Sequence, residues 1–442
     1  MNRKAKCGLS ACLLTACVLA QFMLPGRLPV YAAQTASNVG AVSSSAPELH
    51  PEWTQNIGEY QNKGDQSIRG GPALLTIKEG QLLAIDTPTG KRMWKFGAYL
   101  ESALATWSDL EGDYIFTVTK GGQLMAVSWS GKTIWTTQTG GYEEYEHVQA
   151  AGSYVFILKS HLTEIYKADS GKRLVKIFHP VEEGIGDPSV TLSASGTTMI
   201  RGFEADGAYI SANLEAYDIR TGKHIWEQSG HQFSMLNTNS NLYSLAENMP
   251  LDLDASERHV TIDKIDIQSG KVAGSLIYNW TVPQSEVQTT PYETDAVLAY
   301  DRIYINQGKV IGVYNFSAYS KGQAPLRTIP LTADYYMTGS YAAGMLFLKD
   351  ARGGDLKALN IETGEVMSWG NESQGSDKLV AANRIVIREK DNGTVEFYDL
   401  ITGQLKATLS LKSDGSYGPV MYDSNSALIW KGNRIYGVQL PK

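Results

Sequence analysis

Few residues of this chain are of types and spacings that could do chemistry. Asp252, Asp254 and Asp263 follow part of the spacing of a calcium loop, in which the first and twelfth positions are both ligands. Such a loop takes glycine at its sixth position and glutamate at its twelfth, whereas this chain has Glu257 and Asp263 there. We therefore treat the three aspartates as weak metal candidates and expect a solvated acidic loop.

Other catalytic signatures are missing. The sequence contains neither a Gly-x-Ser-x-Gly nucleophile motif nor a phosphate-binding glycine loop. The histidines lack the short paired spacing of a zinc or iron site. We therefore assign no catalytic residue, no cofactor and no metal beyond the weak candidates, and we predict that the protein is not an enzyme. The seven histidines are His50, His147, His161, His179, His224, His231 and His259.

The first 33 residues are typical of an export signal. Residues 2–6 are basic, residues 7–20 are apolar and uncharged, and Ala32 and Ala33 are small enough for a signal peptidase. The stretch that ends at Cys17 also resembles a lipobox, so cleavage near Ala32 and lipidation at Cys17 both stay open. We expect a secreted or envelope-associated protein with no transmembrane span.

The rest of the chain is organised around a hairpin at 82–96. The first strand ends at Asp86, Gly90 lies in a polar turn, and the second strand carries Trp94. Glycine provides the positive φ that a bulged hairpin needs, and the Asp86 carboxylate can accept hydrogen bonds from turn amides.

This hairpin recurs along the chain. The pattern Ala-x-Asp-x-x-Thr-Gly-Lys-x-x-Trp around Asp86 returns unchanged around Asp218, Gly222 and Trp226. The long gap between two looser copies predicts a degenerate copy with strands at 309–314 and 326–329. The looser copies have their turn glycine at Gly131, Gly171, Gly270, Gly364 and Gly403.

Two further strand-like runs precede each hairpin, and four short strands per unit of about 40–50 residues are typical of a propeller blade. The segment around Trp53 resembles the outer strand around Trp135, while the last unit lacks its fourth strand. We therefore predict a single all-β propeller over 51–442, closed by an N-terminal strand, with a flexible lead-in at 34–50.

On these copies the chain resembles the PQQ-like (pyrroloquinoline-quinone-type) β-propeller repeat family. The resemblance covers nearly all of the mature chain and implies eight blades, whereas the unit count gives nine, so both numbers stay open. In this family the outer-strand tryptophan packs against the neighbouring blade. The resemblance thus implies a structural role for Trp94, Trp135 and Trp226.

Strand direction predicts where a partner binds. Because strands alternate in direction, the Thr-Gly turns share one face of the ring, and the second-to-third and blade-to-blade connections share the other. The longest connections, at 178–188, 246–259 and 280–293, all belong to the second group. Long loops on one face of a rigid scaffold often carry binding residues.

Three functions stay open. The first is a non-catalytic scaffold that binds a protein or an envelope polymer, similar to the envelope-assembly propellers of other bacteria. The second is a glycan-binding or sensor domain, favoured by the 24 tyrosines. The third is a quinoprotein dehydrogenase, although such enzymes are usually longer and many have an adjacent cysteine pair. A nucleic-acid partner is not expected, because the net charge is −7 and no basic run occurs beyond the N-terminal segment.

Overall fold

The computed structural model describes residues 46–442 apart from short gaps. The gaps are 59–65, 71–72, 109–112, 141–146, 160, 180–188, 206–210, 233–234, 239, 248–255, 288–295, 332–334, 351–355, 370–377, 383, 391, 412–414 and 424.

The described residues form nine sheets, and each sheet is one propeller blade. Eight sheets have four strands and one has five, and in every blade but the ninth the four blade strands follow one another along the chain. The number of blades therefore equals the nine units counted in the sequence, not the eight that the family resemblance implies. The degenerate sixth copy, for which the sequence predicted two hairpin strands but left the blade open, forms a complete blade. A single 3₁₀ turn, Gln284–Glu286, is the one helical element among the described residues.

Blade 1 consists of β3 Gln66–Gly70, β4 Ala73–Lys78, β5 Gln81–Asp86 and β6 Arg92–Phe96. Blade 2 consists of β7 Leu100–Ser108, β8 Asp113–Thr119, β9 Gln123–Ser128 and β10 Thr133–Gln138. Blade 3 consists of β11 His147–Ala151, β12 Tyr154–Leu158, β13 Leu162–Lys167 and β14 Arg173–Phe178. Blade 4 consists of β15 Ser189–Leu192, β16 Thr198–Ala205, β17 Ser211–Asp218 and β18 His224–Ser229. Blade 5 consists of β19 Leu236–Asn237, β20 Asn241–Ala246, β21 Glu257–Asp266 and β22 Val272–Thr281. Blade 6 consists of β23 Ala296–Ala299, β24 Arg302–Asn306, β25 Val310–Asn315 and β26 Arg327–Pro330. Blade 7 consists of β27 Tyr335–Ala342, β28 Met345–Asp350, β29 Leu356–Asn360 and β30 Val366–Met367. Blade 8 consists of β31 Lys378–Ala382, β32 Ile385–Glu389, β33 Thr394–Asp399 and β34 Leu405–Ser410. Blade 9 consists of β35 Tyr417–Tyr422, β36 Ser426–Lys431, β37 Arg434–Gln439 and the N-terminal strand β2 Trp53–Asn56.

The N-terminal strand closes the ring, as predicted. β2 pairs antiparallel with β37 and supplies the fourth strand of blade 9. The Trp53 indole then reaches blade 1, where its Nε1 donates to the carbonyl oxygen of Thr87 at 2.8 Å. A further short strand, β1 Glu48–Leu49, pairs in parallel with β34 and adds a fifth strand to blade 8. The sequence analysis placed these two residues in the flexible lead-in at 34–50 and did not predict this last pairing.

The core is a circle of blade–blade contacts. Nine hydrophobic clusters each combine residues of two neighbouring blades, and the cluster between blades 9 and 1 completes the circle. Because each sheet buries both of its faces against neighbours, a second strand such as β4 is buried at all six positions.

Tryptophans of the fourth strands fasten several blades to the next one. The Trp94 Nε1 donates to the Trp129 carbonyl at 2.8 Å, and the Trp226 Nε1 donates to the Ile267 carbonyl at 2.7 Å. The indole of Trp226 lies across the turn glycine of the next blade so closely that a Cβ on Gly270 would be 2.4 Å from it. Trp135 bonds Ala168 in the same way at 2.9 Å.

Candidate functional site

Backbone hydrogen bonds assign every type of connection to one face of the ring. The residue after a fourth strand donates to the second-to-third turn of the same blade. Thr139 N bonds Gly122 O, and Val282 N bonds Ser256 O, both at 2.8 Å. The blade-to-blade and second-to-third connections therefore share a face, which we call the long-loop face.

The opposite face, which we call the Thr-Gly face, has a corresponding set of bonds. Ile219 N, in a Thr-Gly turn, donates to Thr197 O in the first-to-second turn at 3.0 Å. Leu400 N and Arg384 O repeat this bond in blade 8 at 2.8 Å.

The three longest predicted loops connect strands on the long-loop face. Residues 180–188, 248–255 and 288–295 of these loops lie outside the described residues. In the third loop, Glu286 forms a 2.9 Å ion pair with Lys309 in the second-to-third turn of blade 6. This ion pair joins two connections of the same face.

Exposed aromatic side chains occur on both faces. Tyr99 is 77% exposed and Phe178 is 70% exposed on the long-loop face, while Tyr300 is 75% exposed on the Thr-Gly face. Tyr99 and Tyr300 both have a left-handed backbone, with φ of 59° and 47°. Non-glycine residues seldom adopt this conformation. Tyr300 differs in that its ring meets Tyr341 edge-on, with centroids 5.0 Å apart.

The weak calcium candidates are not seen together. Asp252 and Asp254 lie outside the described residues. Asp263 is inside β21, where its carboxylate contacts His231 Nε2 at 3.0 Å and accepts a hydrogen bond from the Ser275 hydroxyl at 2.5 Å. Asp263 thus belongs to a regular strand in the described part of the chain.

The repeat aspartates hold the Thr-Gly turns. Asp86 accepts a hydrogen bond from Thr89 N at 3.0 Å, and Asp218 accepts from both the amide and the hydroxyl of Thr221 at 2.7 Å. The hydroxyl and amide bonds lower the pKa of Asp218 below its usual value.

The repeat glycines Gly90, Gly222, Gly364 and Gly403 all have positive φ, but their neighbours differ. Gly90 lies under the Trp53 indole, whereas Gly222 faces Val175 instead of a tryptophan. Gly364 faces Ile329, and Gly403 faces Met367.

A buried polar network lies between blades 3 and 4. Arg201 donates to Glu215 Oε2 at 2.9 Å, and the Tyr217 hydroxyl donates to the same oxygen at 3.0 Å. The His179 Nδ1 lies 3.1 Å from the Tyr217 oxygen, and its Nε2 lies 2.8 Å from the Thr163 hydroxyl. Because Tyr217 gives its proton to Glu215, His179 donates through Nδ1 and accepts through Nε2.

This arrangement requires a neutral imidazole. Burial, followed by the positive charge of Arg201, lowers the pKa of His179 to about 3. Burial and the adjacent Glu215 carboxylate raise the pKa of Tyr217. The network is therefore a directed chain of hydrogen bonds that ends on one carboxylate oxygen.

Sequence reasoning missed this network. A signal was present, because a Glu-x-Tyr pair precedes the repeat aspartate or its equivalent in three blades. Side chains two positions apart on a strand point to the same face, so each glutamate lies beside its tyrosine. The pairs are Glu164 with Tyr166, Glu215 with Tyr217, and Glu396 with Tyr398.

The first strands of the nine blades do not supply the ligands of a calcium–quinone centre. First strands of neighbouring blades approach one another and so surround the axis. In the nine first strands the single carboxylate is Glu101. Calcium takes six to eight oxygen ligands, with several carboxylates among them, so these strands do not supply the donor set.

Comparison with known proteins identifies a family. Residues 78–302, just over half of the 442 residues, match the family described as outer membrane protein assembly factor BamB. The quinoprotein alcohol dehydrogenase PedH of Pseudomonas putida is 27% identical over 119 residues, which are 24% of this chain and 20% of that enzyme. The chain thus spans about a fifth of the length of that curated relative.

Two solved structures are similar to this chain at low sequence identity. BamB from Moraxella catarrhalis is 14% identical with a TM-score of 0.48, over 89% of this chain and 100% of that chain. A quinohemoprotein alcohol dehydrogenase from Comamonas testosteroni is 12% identical with a TM-score of 0.46, over 89% and 78%. Within the described residues, no helix has both the length and the apolar character needed to cross a bilayer.

Proposed function

Since the chain belongs to the family described as outer membrane protein assembly factor BamB, we propose that it is an exported, non-catalytic scaffold of the cell envelope that binds a partner protein through its long-loop face. The observation that carries the proposal is the segregation of the connections. On the Thr-Gly face most third-to-fourth turns repeat one short capped turn, the exception being the connection at 316–326 in blade 6. The three longest connections predicted from the sequence, which differ in length and composition, all lie on the other face.

Physical reasoning supports this choice of face. A closed ring of nine blades is rigid because every blade is packed on both sides, so the strand ends that carry the loops keep fixed relative positions. Tyr99 and Phe178 add large exposed aromatic surface to that face. Aromatic side chains are enriched at the centres of protein interfaces.

The 119-residue match to PedH keeps a quinoprotein dehydrogenase as the second candidate. Adding pyrroloquinoline quinone and Ca²⁺ to the purified protein distinguishes the two functions. A scaffold leaves the absorption spectrum of the quinone unchanged, whereas a quinoprotein shifts it saturably. The single carboxylate in the nine first strands favours the first result.

Export is the remaining part of the proposal. Residues 1–33 serve as the signal, with lipidation of Cys17 as the alternative to cleavage near Ala32. Mass spectrometry of the mature N-terminus distinguishes the two, because a lipidated chain begins at Cys17 with added acyl mass.

Substitutions on the two faces test the binding proposal. We expect Tyr99→Asn and Phe178→Ser to reduce recovery of the partner from envelope extract about tenfold, as loss of an interface hot spot does. Tyr300→Asn on the Thr-Gly face is the matched control and leaves recovery unchanged. Asparagine tolerates the left-handed backbone at positions 99 and 300, so folding is preserved.

Equal losses from both faces would contradict the proposal. A protein that retains envelope polysaccharide but no protein supports the glycan-binding alternative instead.

A further inference from the structure

The two outer strands of blade 4 bring one imidazole and two carboxylates together at the rim of the ring. Ligand atoms of Glu215, His224 and Glu227 all lie within 4.8 Å of one another. Glu215 is buried, while His224 and Glu227 are exposed. The three residues lie apart from the long-loop face, so a role for them is additional to the proposed function.

A β-bulge explains how His224 and Glu227 meet. Residues three positions apart on a regular strand point to opposite faces. Here Tyr217 pairs with His224 while its neighbour Ala216 pairs with Trp226, so Ile225 is an extra residue. The extra residue turns His224 and Glu227 to the face that carries Glu215 and Tyr217.

Blade 3 has the same geometry with the opposite charge. Glu164 corresponds to Glu215, and its register partner is Lys176. Arg173 and Lys176 lie 3.3 and 3.8 Å from the Glu164 carboxylate. Two cations from the outer strand therefore neutralise the buried carboxylate of blade 3.

In blade 4 the same two positions hold His224 and Glu227. Glu227 is the register partner of Glu215, and like charges directly opposite each other on paired strands repel. Arg201 neutralises Glu215 from the other side. Among the described residues, no hydrogen bond or ion pair satisfies the side chain of His224 or Glu227.

The buried network leaves Glu215 suited to a cation. Arg201 and Tyr217 both donate to the same carboxylate oxygen, Oε2. Partners that hold one carboxylate oxygen orient the other toward a metal, as outer-shell groups do in metal sites. At four other blade contacts a tryptophan side chain of one blade lies over the turn glycine of the next. At the contact between blades 3 and 4 the smaller Val175 lies over Gly222 instead.

We propose that Glu215, His224 and Glu227 bind a divalent first-row metal ion, with Zn²⁺ as the best match. Imidazole and carboxylate ligands suit zinc, and three protein ligands leave a fourth position for water or an external group. Nitrogen and oxygen ligands lie about 2.0–2.2 Å from zinc, so the exposed His224 and Glu227 side chains close on the ion by small rotamer changes.

Calorimetric titration of the chelator-treated full chain with Zn²⁺ alone tests this proposal. We expect one equivalent to bind and to raise the thermal midpoint. His224→Ala and Glu227→Gln each weaken binding at least about tenfold, while both fold normally because the two side chains are exposed. His50→Ala removes another exposed histidine and leaves binding unchanged.

Two results would overturn the proposal. One is the absence of a saturable Zn²⁺ equivalent in the unsubstituted chain. The other is binding that His224→Ala and Glu227→Gln reduce no more than His50→Ala does.

Discussion

The two faces of the ring differ in how regular their connections are. On the Thr-Gly face, most blades repeat one turn, in which an aspartate or asparagine caps the turn and a glycine lies under the side chain of the preceding blade. On the long-loop face the connections share a backbone hydrogen bond but neither length nor side-chain chemistry. This difference indicates that the first face maintains the ring and that the second is available for recognition.

Removing the Trp53 indole, which closes the ring on the Thr-Gly face, should cause the largest loss of stability. Trp53→Ala deletes the side chain that spans Gly90 and Gly437 and bonds Thr87, so we expect a loss of about 3 kcal/mol in the free energy of unfolding. Thermal and urea unfolding measure the loss. Trp94→Ala removes a fastening inside the ring and should lose a similar amount, but only Trp53→Ala should make the N-terminal segment sensitive to protease. Unchanged protease resistance would contradict the role of Trp53 as the closing residue.

Matched glycine substitutions compare the two faces directly. Gly90 and Gly230 have the same φ of 69°, but their surroundings differ. A Cβ on Gly90 would lie 2.3 Å from Trp53, while a Cβ on Gly230 meets nothing within 4 Å. Gly230→Ala should cost about 1 kcal/mol from backbone strain alone. Gly90→Ala should cost about 2 kcal/mol more because the indole must move. Equal unfolding midpoints for the two variants would show that the turn requires glycine for its φ alone.

Titration of the turn aspartate Asp218 should have the smallest effect on stability of the changes considered. Because hydrogen bonds lower the folded-state pKa of Asp218, its contribution is present above the unfolded pKa of about 4 and is lost as the pH falls through the folded value. Asp218→Asn should therefore be less stable than the unsubstituted chain at pH 6, and the difference should shrink toward pH 2.

Blade 7 provides the reciprocal control for this prediction. Asn360 already accepts the Thr363 amide at 3.0 Å without a charge, so Asn360→Asp should add the same acid dependence. If unfolding midpoints of both variants follow the unsubstituted chain across this pH range, the carboxylate charge has no part in the turn.

Sequence was sufficient for features that depend on local hairpins. The turn around Asp86 and Gly90 predicted the blades, and the likeness of Trp53 to Trp135 predicted the closure, because the same packing problem recurs in every blade. The parallel pairing of Glu48–Leu49 with β34 was not predictable, since a two-residue strand has no pattern of its own. The grouping of His224 with Glu227 was missed because only the bulge at Ile225 brings residues three apart to one face.

Photo-cross-linking in intact cells tests the division between the two faces most directly. A benzoyl-phenylalanine in place of Tyr99 or Phe178 reports on the long-loop face, and one in place of Tyr300 reports on the Thr-Gly face. We predict one envelope protein joined to the chain from positions 99 and 178 and not from position 300. The same adduct from position 300, with none from the other two, would contradict the account.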